Sequence, residues 1–221
     1  MKRYAELFQF PNVWVLVLAC FPARVAYGMV SLSIFFKVEQ GTKSIALAGL
    51  AIGLNATPRS LPAGLSGSII DTYGQKWPIR IMVPTYSALL IALNSADSKF
   101  SMLALAFILG FSAPPINLSV RPLWKVVVPE SFLRTAYAID SAIMNFAGVI
   151  GPVIATTLAL STRPESALYI CAALMMTGGI ALAFTKVSRD WIPEKKDKDH
   201  QPIWRHRPLQ LLMIEGCFIG F

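Results

Sequence analysis

Charge is what this chain has least of. Asp, Glu, Lys and Arg make up 14% of its 221 residues, where a soluble domain carries about 25%. So few ionic groups cannot cover a water-facing surface, and 55% of the residues are hydrophobic. An ordinary soluble domain is excluded. Histidine is rarer still. His200 and His206 share one charged segment, and both are read as solvated. The three cysteines, Cys20, Cys171 and Cys217, all lie in apolar runs. They are read as small core residues without disulfides, and no Cys/His spacing suggests a metal site. No cofactor is expected. The net charge of +8 would suggest nucleic acid in a soluble protein, but in so apolar a chain its placement matters more than its sum, and no nucleic-acid partner is expected.

What the chain has in abundance is long uncharged apolar sequence. An α-helix needs about 20 apolar residues to cross the hydrocarbon of a bilayer, and backbone groups in lipid must bond within their own segment. Six helical spans are predicted, over 12–36, 44–69, 79–96, 100–123, 137–160 and 166–186. The opening "MKRYAELFQFPNVWVLVLAC" loosely resembles a lipoprotein signal. Its apolar character continues to Phe36, too far for a signal sequence, so it is read as an uncleaved first span. After the sixth span comes the polar "KVSRDWIPEKKDKDHQPIWRHRP", and then "LQLLMIEGCFIGF". About 13 apolar residues reach roughly 20 Å, short of a roughly 30 Å core. The chain is therefore expected to stop inside a seventh span. Three regions result: a six-span bundle at 1–186, a central loop at 187–207, and the start of a truncated span at 208–221.

Lys and Arg set the orientation. Fourteen fall at one set of connections, among them Lys2, Arg3, Lys76, Arg80, Lys125, Arg134, Lys186 and Arg189. The alternate set holds four: Lys37, Lys43, Lys99 and Arg163. The rich side, with the N-terminus, is expected to be cytoplasmic.

One connection interrupts the apolar sequence with unusual chemistry, "GSIIDTYGQKWPIR" at 67–80. Gly74 supplies flexible backbone for a short helix–helix turn, and Pro78 suits the first turn of the third span. Gly67 allows close helix approach. Asp71 can cap free N–H groups, while Lys76 and Arg80 hold the loop inside and can pair with carboxylates or anionic lipid. Spacing alone leaves two readings open, a functional loop and a plain basic hairpin.

The stretch resembles the signature loop of the major facilitator superfamily, G-x-L-x-D-R-x-G-R-K, between that family's second and third spans. Gly67, Asp71, Gly74 and Lys76 match. Ile69 stands for the leucine, and Thr72 and Gln75 replace two basic positions. The resemblance implies a conformational gate at Asp71 with fewer cationic partners. It covers nearly the whole chain and implies an all-α transmembrane fold, a six-helix bundle of 3+3 inverted repeats. The family's fourth-span R-x-x-Q-G is absent: Gly110 is the candidate glycine, and Ala106 occupies the arginine position. The fifth-span antiporter pattern G-x-x-x-G-P-x-x-G-G is met in part by "NFAGVIGPVIATT". Gly151 and Pro152 are kept, Gly148 lies three residues before Gly151, and Ala155 and Thr156 stand where the closing glycines would be. This leans toward efflux or antiport; a kinked, closely packed helix explains the same residues.

Charges within spans are expensive, and by default they mark functional sites. Arg24 lies mid-way along the first span, after Pro22 and before Gly28. It is read as a cavity-lining substrate or coupling residue, with a buried structural ion pair as the alternative. Arg59 lies in the second span among Asn55, Thr57 and Ser60; Pro58 and Pro62 are expected to break that helix. Asp140 is placed at the opening of the fifth span, to pair with an arginine or cap the helix. In the fourth span Pro114 and Pro115 must distort the helix, and Asn117 is a further cavity candidate. Glu215 would lie in the seventh span. Asn94 and Asp97 close the third span and are read as solvated.

The expected function is secondary active transport of a small molecule by alternating access, with the bilayer as medium and proton coupling as one option. The alternative is a non-transporting fragment or half-bundle that needs a C-terminal half in the same or a separate chain. A membrane enzyme needs clustered carboxylates, histidines or a nucleophile with a base; no such cluster appears at helical spacing on the cytoplasmic face.

Overall fold

The computed structural model describes residues 2–60, 74–161 and 165–191. They form nine helices and, among the described residues, no strand: α1 Lys2–Leu7, α2 Pro11–Thr42, α3 Ile45–Ser60, α4 Lys76–Asn94, α5 Lys99–Phe111, α6 Ile116–Val127, α7 Glu130–Ala159, α8 Ser166–Phe184 and α9 Lys186–Asp190. The first span is α2, the second α3, the third α4, the fourth α5 with α6, the fifth α7 and the sixth α8. Four stretches, Pro11–Thr42, Lys99–Val127, Glu130–Ala159 and Ser166–Phe184, are long and apolar enough to cross a membrane. The fold is an all-α half-bundle.

Local chemistry sets the helix ends. Pro11 starts α2, where its missing N–H is harmless. Lys43 ends it in a left-handed turn, φ 53°, its N–H bonding Glu39 O at 2.7 Å. The Ser98 hydroxyl caps α5 by accepting from the Ser101 N–H at 3.0 Å. Gly74 takes φ 75° just before α4, a conformation that favours glycine, and Pro78 falls in the first turn of α4.

The helices run past the apolar sequence at several ends. α7 begins at Glu130, after extended Pro129, seven residues before the predicted span. Its first two turns are too polar to be found by hydropathy, yet an acidic first turn favours a helix start. Asp140 is thus ten residues inside α7, so its reading as a helix cap is overturned. Pro58 does not end α3, which continues to Ser60. Span helices tolerate proline because neighbours satisfy the freed carbonyls. The fourth span does break, between Phe111 and Ile116, where the paired prolines lie. The sixth span stops at Phe184, and Thr185 caps α9, accepting from the Ser188 N–H at 3.2 Å. The polar segment therefore begins as a packed helical turn, with Val187 and Ser188 buried.

α2 is the central helix. Ala23, Arg24, Val25 and Ala26 are four consecutive buried residues, a full turn enclosed on every side. It packs on α8, α7 and α3, while α4 packs on α8 and α5, and α3 on α5. Exchanging spans one with four, two with five and three with six maps these pairings onto one another: one-on-five becomes four-on-two, and one-on-six becomes four-on-three. Close backbone contacts repeat the relation. A Cβ on Gly151 would lie 2.6 Å from Gly28 Cα, joining spans one and five. A Cβ on Gly110 would strike the backbone carbonyl of Asn55, joining spans four and two. Small residues let membrane helices approach this closely.

Candidate functional site

The enclosed turn of α2 carries the candidate site. Arg24 and Asp140 are 3% and 5% exposed. Arg24 Nη2 bonds Asp140 Oδ1 at 2.7 Å, and Nη1 reaches the Asp140 backbone carbonyl at 3.4 Å. Helical side chains lean toward their N-terminus, which brings the guanidinium of Arg24 down to the level of Asp140 while Gly28, one turn on, meets Ala147 and Gly151. Arg24 Nε is buried with no hydrogen-bond partner among the described residues. The site is an ion pair inside the bundle whose guanidinium Nε–H has no partner among the described residues. Removing two charges from water is costly, and their attraction only about offsets that cost. The described residues contain no group of three or more His, Cys, Asp and Glu side chains placed to hold a metal.

The remaining candidates are dispersed. Asn117 is exposed in the first turn of α6, directly after the break in the fourth span; at that break the Tyr27 hydroxyl donates to the freed carbonyl of Pro114. The backbone of Arg59 lies in α3, and its side chain is outside the described residues, as are Gly67 and Asp71. Lys76 sits 6.0 Å from the Trp77 ring. Arg80 is turned onto α8, 4.1 Å from the ring of Phe184, a cation–π contact that ties the loop's end to the sixth span. Gly151 is buried against Gly28, whereas Gly148 is exposed and a Cβ there would meet nothing within 4 Å. Pro152 lies inside the unbroken α7. The outer arc of α7 has two stripes. Arg134, Ala138, Asn145 and Gly148 are exposed along one edge, and Phe146, Val149 and Val153 along the other.

Several fixing contacts escape sequence reasoning. The Asn55 side-chain amide donates to Ala106 O at 3.1 Å. Gln40 Nε2 donates to Ala159 O at 3.2 Å, and Lys37 Nζ to Asn94 O at 2.6 Å. Asn94 is 8% exposed, so its reading as solvated is overturned; exposed Asp97 is as expected. A polar residue near a span end is the only signal available for such pairs, and it names no partner.

Fold and site together define a multi-pass membrane bundle with a charge pair at its centre. The profile of the Major Facilitator Superfamily matches residues 5–221, and the chain belongs to that family of membrane transporters. It is also similar to an uncharacterized MFS-type transporter, y4rN, of Sinorhizobium fredii (strain NBRC 101917 / NGR234). The identity is 27% over 191 residues, covering 84% of this chain and 47% of the relative. The chain thus spans about half the length of the curated relative it matches.

Proposed function

We propose that the chain forms the N-terminal half of a secondary active transporter that moves a small molecule across the plasma membrane by alternating access, with its N-terminus in the cytoplasm and no enzymatic activity. The observation that carries this reading is the buried Arg24–Asp140 pair. Two apolar side chains would hold α2 to α7 as well, so a charge pair in the middle of a span points to work on a solute or ion. Arg24 Nε offers a further donor for an anionic group. Protonation of Asp140 would release Arg24, which couples proton movement to solute binding. Arg59 and Asn117 are secondary candidates, the 67–80 loop is the gate, and Gly148, Gly151 and Pro152 shape the fifth span, consistent with an antiport mode. The six-span bundle at 1–186, the central loop at 187–207 and the further span from 208 follow the family's organisation. The second half is supplied in the same chain or by a partner chain.

The test uses the complete transporter in proteoliposomes and any solute whose movement depends on the protein. Asp140→Asn is expected to abolish pH-driven accumulation while preserving solute exchange, and Arg24→Ala to abolish both when transport is referred to the amount of folded protein. Unchanged transport with reduced expression of the Arg24 variant would make the pair structural and overturn the assignment.

A further inference from the structure

The broken fourth span leaves one half of α6 uncovered. Ser119, Val120, Leu123 and Trp124 turn into the bundle and are buried. The uncovered half has two edges of opposite chemistry. Leu118 and Val126 are exposed along one, with Pro122 between them, and this edge suits lipid. Asn117, Arg121 and Lys125 are exposed along the other. Each is four residues from the last, so the three form one line. α7 divides in the same way, and its polar edge carries Arg134 near the same end of the bundle. Glu130, exposed one turn before Arg134, offsets that charge, so the excess positive charge lies on α6. Arg121 makes no ion pair with any described residue.

Depth separates this line from ordinary basic residues at a membrane surface. Asn117 lies ten residues before the end of α6 at Val127, about 15 Å along the axis and so about the half-thickness of the hydrocarbon. Arg121 is about 9 Å from that end. Lys125, at the end itself, can snorkel to the headgroups, but a short amide at mid-span cannot. Polar groups at that depth face water or a solute rather than lipid. The line also rises to the level of the charge pair. The Tyr27 hydroxyl bonds Pro114 O. Spans one and four run in opposite senses, so Arg24 and Asn117, each three residues from that bond, lie at one level. We infer that Asn117, Arg121 and Lys125 form a track for a small organic anion, a carboxylate or a phosphate, between the 128–129 end of the bundle and the level of the Arg24–Asp140 pair. The inference rests on the transport reading and adds the class of solute to it. Lys125 attracts the anion at the mouth. The Arg121 guanidinium presents paired N–H donors that match two oxygens of such a group, and the Asn117 amide donates to it at mid-span.

Charged thiol reagents read the track in the complete transporter, reconstituted in phosphatidylcholine vesicles and treated from both sides. Asn117→Cys, at an exposed position, is introduced with other accessible cysteines replaced by serine; Cys20 and Cys171 are buried. Two methanethiosulfonates, one carrying a sulfonate and one a trimethylammonium group, are expected to react with it. Arg121→Gln should lower the sulfonate-to-ammonium rate ratio about tenfold at low salt. That is the Coulomb effect in water of one unit charge, about 6 Å away along the helix, on two probes of opposite sign. Arg121→Lys should keep the ratio. Failure of both charged reagents in the folded protein places Asn117 against lipid or protein and overturns the track. An unchanged ratio in Arg121→Gln overturns its preference for anions, as does a transported solute that is a cation. A ratio that collapses when phosphatidylglycerol is added to the vesicles assigns the track to lipid headgroups and overturns the solute. None of the labelling results needs Arg24 or Asp140 to act in coupling. The track can therefore stand where the charge pair proves structural, and fall where the pair proves functional.

Discussion

Arg24 and Asp140 are 116 residues apart, and each is tolerable in the bundle only because of the other. Removing one partner leaves an uncompensated buried charge, which costs about 3–5 kcal/mol, whereas replacing both by apolar groups is often neutral or stabilising. Arg24→Met alone is therefore expected to lower the thermal transition in detergent sharply. The double variant Arg24→Met/Asp140→Leu should restore the transition without restoring transport. A double variant that stays as unstable as the single ones would show that the pair holds the fold together in a way no apolar contact replaces. The sequence supports Arg24 as a buried charge, because an arginine in an apolar run is visible by inspection. It does not reveal the partner. Asp140 is readable either as the partner of an arginine or as a cap, because the polar first turns of α7 draw the apparent span start toward it, and the geometry selects the arginine. Asn94 is misread for a related reason: nothing local shows that the ammonium of Lys37, 57 residues away, covers the end of α4.

At the scale of elements, apolar length finds six spans, and glycine shows where two of them touch. The fifth span offers two glycines three residues apart, Gly148 and Gly151, and the packing separates them. A Cβ at Gly151 would sit 2.6 Å from the backbone of Gly28, while one at Gly148 would meet nothing. Gly151→Leu must push α7 off α2, at roughly 1–3 kcal/mol for overpacking, and would displace Asp140 from Arg24. Gly148→Leu is expected to leave bundle stability unchanged. If Gly148→Leu nevertheless stops transport, its exposed edge of α7 belongs to a surface that transport uses. Equal destabilisation by both substitutions would contradict the α2–α7 contact. Which glycine is structural depends on helix rotation, set by all the neighbours together and not encoded in a ten-residue pattern. The proline readings divide in the same way. Pro114 and Pro115 open the fourth span because two adjacent residues lack N–H groups, whereas single prolines at 22, 58 and 152 stay inside helices, their lost bonds absorbed by packing.

For the whole molecule, the exchange of packing partners between spans one to three and four to six has a directional consequence. Two three-span units related in this way cross the membrane in opposite senses, since each holds an odd number of spans. The connections at 43–44, 95–98 and 161–165 must then share one side, with 128–129 on the other. The charge bias, fourteen Lys and Arg against four, predicts that the rich side is cytoplasmic. An alkaline phosphatase reporter, active only outside the cytoplasm, is expected to be active when fused after Ala96 or Ser161 and silent after Val128. A fluorescent protein that matures only in the cytoplasm should give the reverse. The inverse reporter pattern would place fourteen basic residues outside. Matching activity at Ala96 and Val128 would break the alternation itself, and with it the relation between the two three-span units.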